Sequence, residues 1–146
     1  MRPVSVSIEL PLPPEGVWEE VSRLERHPGW MADARALRFS SEQRTGVGTR
    51  ALVDTRFGPL RTLDRLVVTE WEPGRCIGVE HRGLFTGCGR FLLEPAGAGA
   101  TRFTWEELVR FPWYCGRPLG ARAARPLFRW VWRRNLERLR SLLSAP

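Results

Sequence analysis

The chain has 146 residues, and its 23 basic residues are all arginine, set against 16 acids. The net charge of +7 lies in one place: eight arginines and the single acid Glu137 stand between Arg117 and Arg140, which leaves residues 1 to 116 electrically balanced. Three cysteines with no C-x-x-C spacing, two histidines, and no long apolar run exclude a disulfide framework, a zinc site and a membrane-spanning helix.

Residues 1–146 read as one domain, long enough to bury about two thirds of the unfolded surface. In the first segment, Met1 to Leu10, Val4, Val6, Ile8 and Leu10 alternate with Ser5, Ser7 and Glu9. That is the period of a half-buried strand and not the apolar run of a signal peptide, so a soluble cytoplasmic protein is expected. Pro11, Pro13 and Pro14 end the strand, and Pro14 opens a helix over Glu15 to Arg26 with Val17, Trp18, Val21 and Leu24 inward. His27-Pro28-Gly29-Trp30 breaks it, and a short helical piece is expected from Trp30 to Asp33.

Strands are then predicted near Leu37 to Ser41 and Thr49 to Phe57. Gly58-Pro59, Pro73-Gly74, Gly83 and Ala96-Gly97-Ala98-Gly99 separate further strands near Arg61 to Trp71, Cys76 to His81, Phe85 to Leu93 and Thr101 to Phe111. Short turns between neighbours make these an antiparallel meander. Arg117 to Arg125 predicts a lead-in turn or short helix, because Pro126 inside a regular helix removes a hydrogen bond at a cost of about 3 kcal/mol. Beyond it Phe128, Val131, Trp132, Leu136, Leu139, Leu142 and Leu143 share one stripe, with the arginines outside it. The fold class is therefore α+β: a curved antiparallel sheet wrapped around a long C-terminal helix, with two short helices after the first strand.

Side-chain alternation selects the interior. Phe103, Trp105, Val109 and Phe111 make the odd face of their strand the inner one, which puts Glu107 inside. The same rule turns Phe91 and Leu93 inward, then Ile77, Val79 and His81, then Leu63, Arg65, Val67, Thr69 and Trp71, unless a bulge inverts a strand. Asn135 falls within the apolar stripe of the closing helix, where its amide needs partners or a polar cavity. Arg65, His81, Glu107 and Asn135 thus converge on an aromatic interior.

A lone carboxylate there is costly, so Glu107 should pair with Arg65 or His81 or take up a proton. In that setting Glu107 can serve as general acid or base, with Arg65 steadying an oxyanion and His81 relaying the proton. The alternative leaves Glu107 solvated or salt-bridged at the cavity mouth and Arg65 outside. Trp30 either lines the entrance with His27 titrating beside it, or packs in the core next to a solvated turn histidine. Gly87 and Gly89 leave room for a ligand or the closing helix to approach the sheet.

Several segments carry a family resemblance: Ile8-Glu9-Leu10-Pro11 through Pro14-Glu15-Gly16-Val17-Trp18, His27-Pro28-Gly29-Trp30-Met31, Gly46-Val47-Gly48-Thr49, Val68-Thr69-Glu70-Trp71-Glu72-Pro73, and Leu93-Glu94-Pro95 with Gly99-Ala100-Thr101-Arg102. In this order and spacing the sequence resembles the START-related SRPBCC superfamily, in its polyketide cyclase/dehydrase-like branch, over nearly its full length. The resemblance implies a helix-grip fold. It also implies binding or transport of a hydrophobic or amphipathic small molecule, lipid-, polyketide- or quinone-like, between the sheet and the Pro126 to Leu143 helix.

Trp30, Trp71, Val79, Phe91, Phe103, Trp105, Trp132 and Asn135 are the expected ligand contacts, and neither a cofactor nor a metal is expected. The family usually has an apolar residue where Glu107 stands, so Glu107 is a departure. Two other readings stay open: an aromatase/cyclase-like or isomerase-like enzyme using Glu107 with Arg65 or His81, and a peripheral membrane or ribosome-associated protein. For the latter, Arg129, Arg133, Arg134 and Arg140 surround an outward Trp130, with Phe111, Trp113 and Tyr114 upstream. That surface fits an anionic membrane or RNA phosphates, or is a solvated helix face. No motif for reading nucleic-acid sequence occurs, and both a monomer and a homodimer suit the chain.

Overall fold

The structure, a computed structural model, describes residues 3–83, 86–110 and 117–145, with side chains in the last segment from Ala124 onward. Its strands are β1 (Val4–Leu10), β2 (Ala34–Phe39), β3 (Arg50–Phe57), β4 (Leu60–Glu72), β5 (Cys76–Arg82), β6 (Thr86–Pro95) and β7 (Thr101–Arg110). Helix α1 (Pro14–Val21) and a 3₁₀ helix (Leu24–Gly29) follow β1, and α2 (Arg117–Ser144) comes last. The strands form one antiparallel sheet in the order β1-β7-β6-β5-β4-β3-β2, so the meander ends beside the first strand. This is the expected α+β arrangement of a curved sheet gripping a C-terminal helix. Phe85, Phe111, Trp113, Tyr114 and Cys115 lie outside the described residues.

Local chemistry explains the joints. Phe57 pairs with Leu60, leaving Gly58-Pro59 as a two-residue hairpin loop. Gly58 sits at φ +61, a left-handed value that glycine adopts without strain. The helix expected over Glu15 to Arg26 is instead two pieces. Its carbonyl at Val21 accepts a 2.7 Å hydrogen bond from the His27 ring instead of a helical N–H, and the chain tightens into the 3₁₀ turn that carries Pro28. Trp30 to Asp33 is not helical; the Trp30 and Met31 amides both donate to the His27 carbonyl.

The expected start or kink at Pro126 is not a start, because α2 begins at Arg117 and is helical through the proline. The carbonyl four residues earlier loses its helical donor there. Phe128, Trp132, Leu136 and Leu139 are buried with Val4, Val6, Phe103 and Trp105 in one core. Each such side chain contributes roughly 2 kcal/mol on leaving water. Leu142, at the edge of the stripe, stays 42% exposed. No helix among the described residues is long and apolar enough to cross a membrane.

Strand β4 corrects the predicted face. Val68 pairs with Val79 but Glu70 pairs with Gly78, so Thr69 is an extra residue in a β-bulge. A bulge changes the parity of side chains along a strand. Trp71 is therefore inward, opposite Ile77, while ahead of the bulge Asp64, Leu66 and Val68 face in and Leu63, Arg65 and Val67 face out.

Candidate functional site

A cavity of about 140 Å³ lies between the inner face of the sheet and α2. Its wall is a chain of rings. Phe57 lies 5.0 Å from Phe128, Phe128 stacks on Trp132 at 5.2 Å, Trp132 stacks on Trp105 at 5.2 Å, and Trp105 meets Phe91 edge-on at 5.3 Å. Offset and edge-on contacts of this kind suit the charge distribution of aromatic rings. Leu37, Val53, Leu66, Ile77 and Val79 add to the apolar lining.

Polar groups interrupt that lining at one place above all. Val79, Gly89 and Glu107 form one cross-strand row, and His81, Gly87 and Val109 form the next. His81 on β5 and Glu107 on β7 must reach each other across β6, and they do so over two residues that have no side chain. The His81 Nε2 donates to Glu107 Oε2 at 3.1 Å, and the Trp105 indole N–H donates to the other carboxylate oxygen at 3.3 Å. A β-carbon on Gly89 would stand 2.7 Å from Glu107 Oε1. Gly89 thus makes room for the Glu107 carboxylate, and it also lines the cavity. Both partners are about one-seventh exposed, so the pair borders the cavity and is neither sealed nor free in solvent.

Five further polar residues line the cavity: Asp33 from the loop before β2, Asp64 from the re-phased segment of β4, His27 from the 3₁₀ turn, Thr55 from β3 and Arg90 from β6. Asn135 connects α2 to the first of them: its Oδ1 accepts from the Ala32 N–H at 3.0 Å and its Nδ2 donates to Asp33 Oδ1 at 2.7 Å. Burial pushes the Asp33 carboxyl above its ordinary range, and the Asn135 hydrogen bond works against that rise. Thr62 donates to Asp64. His27 is buried, contrary to the expected solvated turn histidine, and desolvation lowers its pKa to about 4.

Replacing Asn135 with leucine strands the Asp33 oxygen. It is expected to cost about 2 kcal/mol in urea unfolding, since Ala32 is exposed enough for water to take over its N–H. No loss of stability would mean that this strap does not hold.

Of the residues expected at the site, Val79, His81, Phe91, Trp105, Glu107 and Trp132 line the cavity. Trp30 and Phe103 are fully buried behind that wall, ring against ring at 6.4 Å. The Trp30 indole N–H has no hydrogen-bond partner among the described residues. Trp71 packs edge-on against Trp18 of α1, 5.2 Å away, and Asn135 serves the loop before β2. Arg65 is the clear correction. The bulge in β4 turns it to the outer face, so it touches neither Glu107 nor the cavity.

On the outer side of α2, Trp130 is 58% exposed, and the Arg134 guanidinium lies over its ring, 5.0 Å from the centroid. No group of three or more His, Cys, Asp or Glu able to hold a metal ion occurs among the described residues.

The family described as polyketide cyclase / dehydrase and lipid transport matches residues 1–144. No curated protein matches the sequence. A crystal structure from Thermus thermophilus is similar at a TM-score of 0.77 with 19% identity, covering 97% of this chain and 96% of that one. An aromatase/cyclase from a Streptomyces species superposes at 0.71 with 16% identity, over 97% of this chain and 93% of that one. A START superfamily protein from Mycobacterium smegmatis does so at 0.69 with 18% identity, over 95% and 92%. At such identities the likeness is one of fold. With a family match over nearly every residue and a sheet that grips one long helix, the chain belongs to the polyketide cyclase/dehydrase and lipid transport family.

Proposed function

We propose that the chain binds a small hydrophobic or amphipathic molecule between the sheet and α2, with its apolar part against Phe128, Trp132 and Trp105 and a polar end toward His81 and Glu107. The observation that carries this reading is the cavity itself, an aromatic-walled space with a hydrogen-bonded His–Glu pair at its edge. Its 140 Å³ suits a ligand about the size of one substituted ring. A longer lipid-, polyketide- or quinone-like molecule must leave its remainder outside or displace α2. Native mass spectrometry of the protein purified from its own host tests the reading. A co-purifying small apolar molecule is expected. No adduct, together with no change in tryptophan fluorescence on titration with substituted phenols and indoles, would overturn it.

The His81–Glu107 pair favours a second reading, an aromatase/cyclase-like or isomerase-like enzyme in which the pair moves a proton on an enolisable ligand. Positioned acid–base groups contribute about 10² to 10⁴ in rate. Glu107→Gln separates the two readings. An enzyme loses turnover by about that factor while retaining ligand. A carrier shows no turnover in either form and likewise retains ligand.

A further inference from the structure

The face of the sheet turned away from α2 carries a different chemistry. There the strand register lays side chains in rows: Leu52 stands directly opposite Arg65, and Arg65 directly opposite Arg82. The adjoining row holds Arg50, Val67 and Glu80. Neighbouring strands lie about 4.8 Å apart, and diagonal partners such as Arg50 and Arg65 about 7 to 8 Å. Three guanidinium arms therefore reach one spot. They rim a groove of about 430 Å³ whose lining also includes Ser40, Glu80 and the half-buried Leu52 and Val67.

Like charges placed directly opposite across strands are destabilising, and the chain itself does little to offset this pair. Arg82 reaches Glu80 at 3.7 Å, an exposed contact. The side chains of Arg50 and Arg65 make no hydrogen bond or ion pair with any described residue. Three cations thus face one carboxylate over an apolar floor.

We propose that this groove is an anion site for a phosphate monoester, held by Arg50, Arg65 and Arg82 with its apolar group on Leu52 and Val67. A phosphate offers three terminal oxygens to three planar five-donor forks, whereas a carboxylate offers two. The site lies on the opposite face from the cavity and stands whether or not the cavity binds a ligand.

Isothermal titration of the whole chain at low ionic strength, with inorganic phosphate, phenyl phosphate and benzoate, tests it. Saturable binding is expected, tightest for phenyl phosphate and weakest for benzoate. Arg65→Gln should weaken phenyl phosphate by about tenfold or more, Arg65→Lys less, and Glu80→Gln should tighten it severalfold by releasing Arg82. Both positions are exposed, so the variants keep the fold, and unchanged thermal unfolding without phosphate checks this. A double Arg133→Gln, Arg134→Gln variant on α2 should bind as the parent does. Absence of saturable phosphate binding, an Arg65→Gln variant equal to the parent, or loss of binding in the α2 double variant would each overturn the proposal. So would attachment to phosphatidylglycerol vesicles through Arg65 without any binding of phenyl phosphate, which would make the surface a lipid contact.

Discussion

Replacing Trp132 with alanine should cost about 4 kcal/mol of folding free energy and enlarge the cavity toward α2. Trp132 is 3% exposed and stacks at once on Phe128 from its own helix and on Trp105 from β7. Its removal takes away the ring that joins the helix to Trp105 in the sheet wall. The neighbours cannot close the gap easily, because Trp105 is held by its N–H to Glu107 and Phe128 by contact with Phe57. Most of the vacated space should therefore persist. Indole or naphthalene, added to the variant at saturation, should restore part of the loss, about 2.7 kcal/mol at a hundred times the dissociation constant. The measurement is urea unfolding with and without the bicyclic compound, beside Trp130→Ala as control. Trp130 is more than half exposed, and its removal should stay within about 0.5 kcal/mol. Equal losses at the two tryptophans would contradict the packing described for α2.

How far the site can be read from the sequence depends on what fixes each side chain. The alternation Phe103, Trp105, Glu107, Val109 is legible because β7 keeps unbroken register with β6 from Thr101 to Arg110. The same rule fails on β4. Counting back from Trp71 crosses the bulge at Thr69, a residue with neither glycine nor proline beside it to signal an irregularity, and Arg65 and Asp64 exchange faces. The Gly87-Cys88-Gly89 spacing does mark the floor over which His81 meets Glu107, although from sequence it suits a ligand equally well. Asp33 leaves no periodic trace, since its place is set by Asn135 on α2, 102 residues later. Asn135 itself is legible as a polar residue in an apolar stripe, but its partners are not. His27 stands before Pro28-Gly29, a pattern of exposed turns, and only the folded path of the chain brings its ring to the Val21 carbonyl. Local periodicity therefore yields the sheet, the helix and most of the aromatic wall, while the carboxylates depend on long-range contacts.

Acid should weaken the fold through His27 by about 3 kcal/mol. The imidazole is buried against Trp30 and Phe91, at 5.2 and 5.6 Å between ring centres. Its Nε2 must carry the proton given to the Val21 carbonyl, because that carbonyl can only accept. Desolvation lowers the folded-state pKa from 6.5 to about 4, against a smaller opposing effect of the Val21 hydrogen bond. The unfolded chain therefore binds the proton first. The stability that His27 contributes is fully present above pH 6.5, falls as pH drops from 6.5, and is lost near pH 4. Asp33 works in the opposite sense. Its carboxyl is raised by burial, so the folded state gains relative stability as that group takes up its proton and loses it as pH rises through the folded value. The His27 contribution must therefore be read as a difference. His27→Gln keeps an N–H for the Val21 carbonyl but cannot titrate, and it leaves Asp33 in place. In urea unfolding between pH 6.5 and 4, the parent should lose about 3 kcal/mol more than the variant. Parallel pH profiles would mean that the ring takes up its proton as readily in the folded chain as in the unfolded one, against the lowering that its burial implies.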